Sequence, residues 1–328
     1  MAEDVNFITD FDASAQGWNA SNVRLLAYCS DLAYGTRETI VQRLDNWQLH
    51  FVDFLNSGNT QAFLADGANL AIVCYRGTEP TNAFDWATDA QAQQVRGPFG
   101  MVHAGFNNAL QLVWSRVSSF VQQSVTAGKR VFVAGHSLGG ALACLTVARA
   151  LSENVARDRL SLHTIGQPRV GDTDFVQKMN QLMQDGMVRV VNNIDLVPRV
   201  PPRRSVVGHY EHCGGVVWID VDGKLHRNPA YWETLLHLLE FTPQPEPPVA
   251  AGGTTIQGLR GLLDKFWPSW PAPGALLDLG ITFLTSNVTR LVLRSIGKET
   301  IKDPVSMISD HFRDHYTRLL DARQEPVD

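Results

Sequence analysis

Cysteine is scarce in this chain, with four among 328 residues: Cys29, Cys74, Cys144 and Cys213. None stands in CxxC or CxxH spacing, which leaves a zinc site without support. Three of them sit in apolar stretches, where a free thiol packs as a small hydrophobe. Basic residues are not in excess either. Twenty-eight Lys and Arg face 33 Asp and Glu, a formal charge of −5, and the densest basic run is three arginines within residues 199–204. Phosphate recognition needs clustered Lys and Arg, so nucleic acid is excluded as a lead partner. Long hydrophobic runs are also missing. The apolar stretch 275–296 holds a charge-free run of only 11 residues, Leu279 to Thr289, short of the ~18 that span a bilayer. The start, Met1-Ala2-Glu3-Asp4, lacks a basic-then-apolar leader. The expectation is a cytoplasmic protein, or one whose signal has been removed.

What is present is a 44% apolar and 19% charged composition, enough to bury a sizeable core and too little charge for a disordered chain. A helical pattern from residue 22 (Leu25, Leu26, Cys29, Leu32) stops at Gly35. Apolar runs at 49–55, 61–65 and 69–75 read as strands. A single long helix is expected over 104–127, with Phe106, Leu110, Val113, Val117 and Phe120 on one face. A strand from Arg130 to Ala134 and an Ala-rich helix from Leu138 to Leu151 follow. Two more strands, near 161–166 and 187–192, flank a polar helix near 173–184. Strands alternating with helices imply an α/β fold, a mostly parallel central sheet with helices on both faces. Then the rhythm changes. Residues 242–254 have linker composition. They precede Phe266-Trp267-Pro268-Ser269-Trp270-Pro271 and a helical pattern of Leu277, Ile281, Leu284, Val288 and Leu291. The length alone allows one or two domains.

Gly135-His136-Ser137-Leu138-Gly139 fits G-x-S-x-G, between an apolar strand and an Ala-rich helix. That context is the strand–turn–helix of a nucleophile elbow, where glycines avoid collisions between strand and helix. The helix N-terminus aims amide groups at the turn and favours a developing oxyanion, with the Leu138 N–H as one donor. A serine hydroxyl needs a base to take its proton and an acid to orient that base. On this kind of sheet the chain order is Ser, then Asp or Glu, then His. Asp195 stands just after the strand ending near 192, on the same rim as the serine turn. The histidines that follow it are His209, His212, His226, His237, His311 and His315. His136 and His103 come too early and read as packing or hydrogen-bonding residues.

Six segments in order carry a resemblance: Tyr75-Arg76-Gly77-Thr78, Asp85-Trp86, Val102 to Phe106, Gly135 to Gly140, Gly166 to Gly171, and Asn193 to Pro198. Together they resemble the class 3 lipases, α/β-hydrolase esterases of the fungal triacylglycerol lipase type. The resemblance implies an α/β-hydrolase-type fold and serine-dependent hydrolysis of carboxylic esters, lipid esters first, through an acyl-enzyme. A short-chain, phospholipid or feruloyl esterase with the same triad, and an inactive lipase-like binding scaffold, are the alternatives. By the same resemblance Thr78 supplies the second oxyanion donor. His311, in Asp310-His311 followed by Tyr316, is the base, with His315 as the alternative. His212 then reads as structural or as a support behind the site, Arg76 as a structural arginine with an ion pair that holds the oxyanion loop as the alternative, and Gly166 to Asp172 as the site floor. The chemistry needs no metal and no organic cofactor.

Ser137 and Asp195 are 58 positions apart, but Asp195 and His311 are 116 apart, longer than the family pattern. The excess lies at about 241–300. The chain is therefore read as one catalytic domain over 1–328 carrying an inserted lid or substrate shelter, interface or membrane contact. Residues 255–296 are the candidate for a transient contact with a lipid surface. Residues Thr81 to Gln94 look too polar to form an apolar cover alone. The oligomeric state is left open.

Overall fold

The computed structural model describes residues 7–77, 93–192, 195, 197–201, 203–205, 208–220, 223–228, 316–317 and 320. Residues 1–229 and 305–328 form one unit, and every described residue belongs to it. The candidate insertion at 241–300, Thr78, residues 81–92, His237, His311 and His315 lie outside the described residues.

Twelve strands are described: β1 (His50–Ser57), β2 (Thr60–Asp66), β3 (Leu70–Tyr75), β4 (Gln94–Arg96), β5 (Met101–His103), β6 (Arg130–His136), β7 (Leu160–Ile165), β8 (Met187–Asn192), β9 (Arg204–Ser205), β10 (Gly208–His209), β11 (Gly215–Ile219) and β12 (Leu225–Arg227). Eight of them make one sheet in the order β1-β2-β3-β6-β7-β8-β11-β12. From β3 to β11 every neighbouring pair is parallel, with antiparallel strands at the two edges. The helices are α1 (Phe7–Asp10), α2 (Ala20–Leu32), α3 (Arg37–Asn46), α4 (Ala104–Gln111), α5 (Trp114–Thr126), α6 (Leu138–Ser152) and α7 (Thr173–Met183). The expected α/β architecture is the one observed.

Strand periodicity explains why the sheet is covered twice. Successive side chains point to opposite faces. On β3, Ala71, Val73 and Tyr75 join the cluster with α4, α5 and α6, while Leu70, Ile72 and Cys74 join that with α2 and α3. β6 repeats the division, with Val131 and Val133 on one side and Phe132 and Ala134 on the other. Each fully buried Val, Leu, Ile or Phe among them contributes roughly 1.5–3 kcal/mol relative to leaving it exposed. Helix starts are fixed by side-chain caps: Asn19 on Asn22 N, Thr36 on Thr39 N and Asp172 on Phe175 N, each worth ~1 kcal/mol.

One expected helix is two. The segment 104–127 breaks at Leu112 and Val113. The Ala109 carbonyl accepts the Thr60 hydroxyl at 3.0 Å, and the Val113 amide turns to Leu110 O at 3.1 Å. A side chain from β2 thus competes for the carbonyl that an unbroken helix would use. The β4–β5 hairpin around Gly97-Pro98-Phe99-Gly100 is a further element that the apolar pattern did not announce.

Candidate active site

β6 runs into α6 through a single residue, Ser137, at φ 58° and ψ −130°. A non-glycine residue at positive φ costs on the order of 1–3 kcal/mol and persists only where its surroundings enforce it. Here two glycines do so. A Cβ at Gly135 would collide with the Gly139 carbonyl, and one at Gly139 with the Tyr75 carbonyl. Only bare backbone lets α6 start this close to β3 and β6. The Ser137 amide donates to Ile165 O at 2.9 Å. Its Oγ is buried and meets no hydrogen-bond partner among the described residues. The Leu138 amide opens the 15-residue helix α6, whose positive end therefore lies at the serine.

Asp195 follows β8, two strands from β6 on the same C-terminal rim of the sheet. It is fully buried. Its Oδ1 accepts the Val197 amide at 2.9 Å and its Oδ2 the Tyr316 hydroxyl at 2.6 Å. The Arg199 Nε donates to the Asp195 carbonyl at 3.1 Å, and the Arg169 guanidinium donates to Arg199 O and Pro201 O. The Gly166 to Asp172 segment thereby fastens the acid loop rather than merely flooring it.

The described histidines have distinct tasks. His103 caps α4 through Nδ1 and stacks on Phe106, centroids 3.9 Å apart. His212 donates from Nε2 to Pro198 O at 2.6 Å, and burial pushes its pKa well below the usual value. His209 pairs with Glu211 at 2.8 Å in a polar cavity of ≈ 500 Å³ that also includes Arg203, Asp172, Thr173 and Asp174. His226 pairs with Asp220 at 2.9 Å. His163 on β7 is buried and pushed down to about 3.

His136, which the sequence offers only as a packing residue, is better connected than that. Its Nδ1 shares a hydrogen bond with the Tyr34 hydroxyl at 2.9 Å, and its ring lies edge-to-face with that of Tyr316, centroids 6.0 Å apart. Arg76 lies over the Tyr34 ring at 5.4 Å and donates to Gln61 Oε1. Tyr34 escaped the sequence reading because a tyrosine at the end of an apolar helix looks like any core residue. Ser137, Leu138 and Asp195 are brought to one rim, whereas Thr78 and His311 fall outside the described residues. Among the described residues no group of three His, Cys, Asp or Glu is placed to hold a metal ion, and no helix is long and apolar enough to cross a membrane.

Residues 72–205 match the family model described as lipase (class 3). Triacylglycerol lipase OBL1 of Ricinus communis is 30% identical over 62% of this chain and 50% of its own length. The lipase of Rhizopus microsporus var. chinensis superposes with a TM-score of 0.52 at 25% identity, covering 64% of this chain and 79% of that one. A triacylglycerol lipase whose catalytic centre is a serine protease triad superposes at 0.53 with 25% identity, covering 62% and 82%. The chain spans about half the length of the plant relatives it matches. Over residues 72–205, the stretch that holds the strained serine turn and the buried aspartate, the chain is similar to the class 3 lipases, on an α/β-hydrolase fold.

Proposed function

We propose that the chain is a serine-dependent carboxylic-ester hydrolase acting on lipid esters. The observation that carries this reading is Ser137 itself: a buried serine at positive φ, between a central strand and the N-terminus of a long helix. Strain of that kind is kept where it serves chemistry, and a nucleophile elbow is the chemistry this turn serves. The likeness to triacylglycerol lipases supports lipid esters as the substrate class.

In the proposed reaction His311 takes the Oγ proton as Ser137 bonds to the ester carbonyl carbon. The carbonyl oxygen becomes an oxyanion held by the Leu138 amide and Thr78. Asp195 fixes the imidazole and stabilises its charged form. Collapse expels the alcohol, which takes the proton from His311. Water then attacks the acyl-serine with the same histidine as base, the carboxylic acid leaves, and Ser137 regains its proton. For the segment 241–300 the reading is a lid or acyl-chain shelter, an interface, or a membrane contact, with 255–296 the candidate for a transient meeting with a lipid surface.

A p-nitrophenyl ester series from C2 to C16 tests the reading. Long-chain preference that rises at an oil interface supports lipid-ester hydrolysis, and C2–C4 preference moves the substrate to short-chain esters. Absence of turnover on every member contradicts hydrolysis. Ser137→Ala is expected to lose ~10³–10⁶ in kcat.

A further inference from the structure

The Tyr34 hydroxyl stands where three parts of the site converge. It shares its hydrogen bond with His136 Nδ1, a partner 102 residues away, and His136 directly precedes Ser137. It also lies against Gly77. A Cβ at Gly77 would strike the Tyr34 hydroxyl oxygen, would come within 2.6 Å of the His136 carbonyl oxygen, and would meet Ser137 Cβ at 3.0 Å. The Gly77 backbone is therefore pressed between the tyrosine hydroxyl and the nucleophile turn. The tyrosine is itself held from behind. The Arg76 guanidinium covers its ring at 5.4 Å, and Arg76 is tied to β2 through its amide on Gln61 O at 3.0 Å and its side chain on Gln61 Oε1. On its other side the buried His136 ring meets Tyr316, whose hydroxyl holds Asp195.

We infer that Tyr34 is a positioning residue of the hydrolytic site: its hydrogen bond to His136 braces the Gly77 backbone against the Ser137 turn. The inference rests on the ester-hydrolase reading above, in which Thr78, the next residue after Gly77, contributes to the oxyanion hole. Oxyanion donors act only at hydrogen-bond distance from where the charge develops, and a displacement of about 1 Å at a reacting centre costs up to ~10²-fold. A hydroxyl that sets the backbone one residue before such a donor controls the transition state more than substrate binding.

Tyr34→Phe removes the hydroxyl and keeps the ring under Arg76. With p-nitrophenyl butyrate the expected result is a fall in kcat of about 10-fold with KM within about twofold. The affinity for a trifluoromethyl ketone, whose hemiketal oxyanion occupies the same hole, falls by the same factor as kcat. His136→Leu gives the same loss, the double variant is no worse than either single variant, and His136→Asn, which keeps a polar atom near the Nδ1 position, restores turnover. Wild-type kcat and inhibitor affinity in Tyr34→Phe, or losses that multiply in the double variant, overturn the inference. If Tyr34→Phe does not fold, the His136→Leu and His136→Asn pair decides by the same two readouts. Absence of ester turnover in the wild-type protein overturns the functional reading and the inference with it.

Discussion

The Tyr316 hydroxyl donates to Asp195 Oδ2 at 2.6 Å and accepts the Asn192 amide at 2.9 Å, so one buried oxygen joins the end of β8 to the acid that follows it. Tyr316 and Asp195 are 121 residues apart and both fully buried. A buried carboxylate left short of a donor costs more than the hydrogen bond was worth.

Tyr316→Phe leaves Asp195 Oδ2 without this donor and the Asn192 amide without this acceptor. The expected loss is on the order of 1 kcal/mol of stability for each of the two hydrogen bonds removed, together with roughly a 10-fold lower kcat from a loosened acid. Urea unfolding and p-nitrophenyl butyrate hydrolysis check both. Unchanged values in the two assays refute the role assigned to this hydroxyl.

The nucleophile turn was largely legible in the sequence, because its geometry is local. Gly135, Ser137 and Gly139 lie within five positions, and an apolar strand and an Ala-rich helix on either side identify the turn. The brace around it was not legible. Tyr34 meets His136 across 102 residues, and Thr60 breaks the 104–127 helix from 49 residues away. Periodicity reports which face of an element is buried, and it carries no information about which distant polar group competes for a given carbonyl or imidazole. Tyr316 is an intermediate case. The family resemblance noted it after Asp310-His311, while its grip on Asp195 required the folded sheet.

Close backbone approach at the turn predicts unequal tolerance of neighbouring glycines. Gly139→Ala drives a Cβ into the Tyr75 carbonyl of β3, which cannot yield without moving the strand. A loss of about 1–3 kcal/mol or more is expected. Gly140→Ala meets Gln167 Cβ and the Gly135 carbonyl oxygen, both at 3.1 Å, contacts tight but not overlapping, and destabilises less. Thermal unfolding of the two variants ranks them, and the reverse order contradicts the packing described.

Acid sensitivity follows from the buried histidines. Burial lowers His163 to about 3 and holds His212 well below its ordinary value. Below about pH 6.5 the unfolded chain binds protons that the folded imidazoles refuse, so stability is full above that pH and declines on acidification. For His163 the decline is about 1.4 kcal/mol per pH unit, ending near its folded value. The slope of urea stability between pH 7 and 5 is expected to flatten in His163→Gln. Equal slopes in variant and wild type show that this imidazole is not the source.

The proposed hydrolysis depends on Ser137 being the nucleophile. A serine-directed alkyl phosphonate with a p-nitrophenol leaving group tests this directly, read by intact mass and peptide mapping. One adduct per chain is expected, on Ser137, with ester turnover lost in proportion to labelling and no adduct in Ser137→Ala. An adduct on another serine that abolishes turnover, or full labelling of Ser137 with turnover intact, contradicts it.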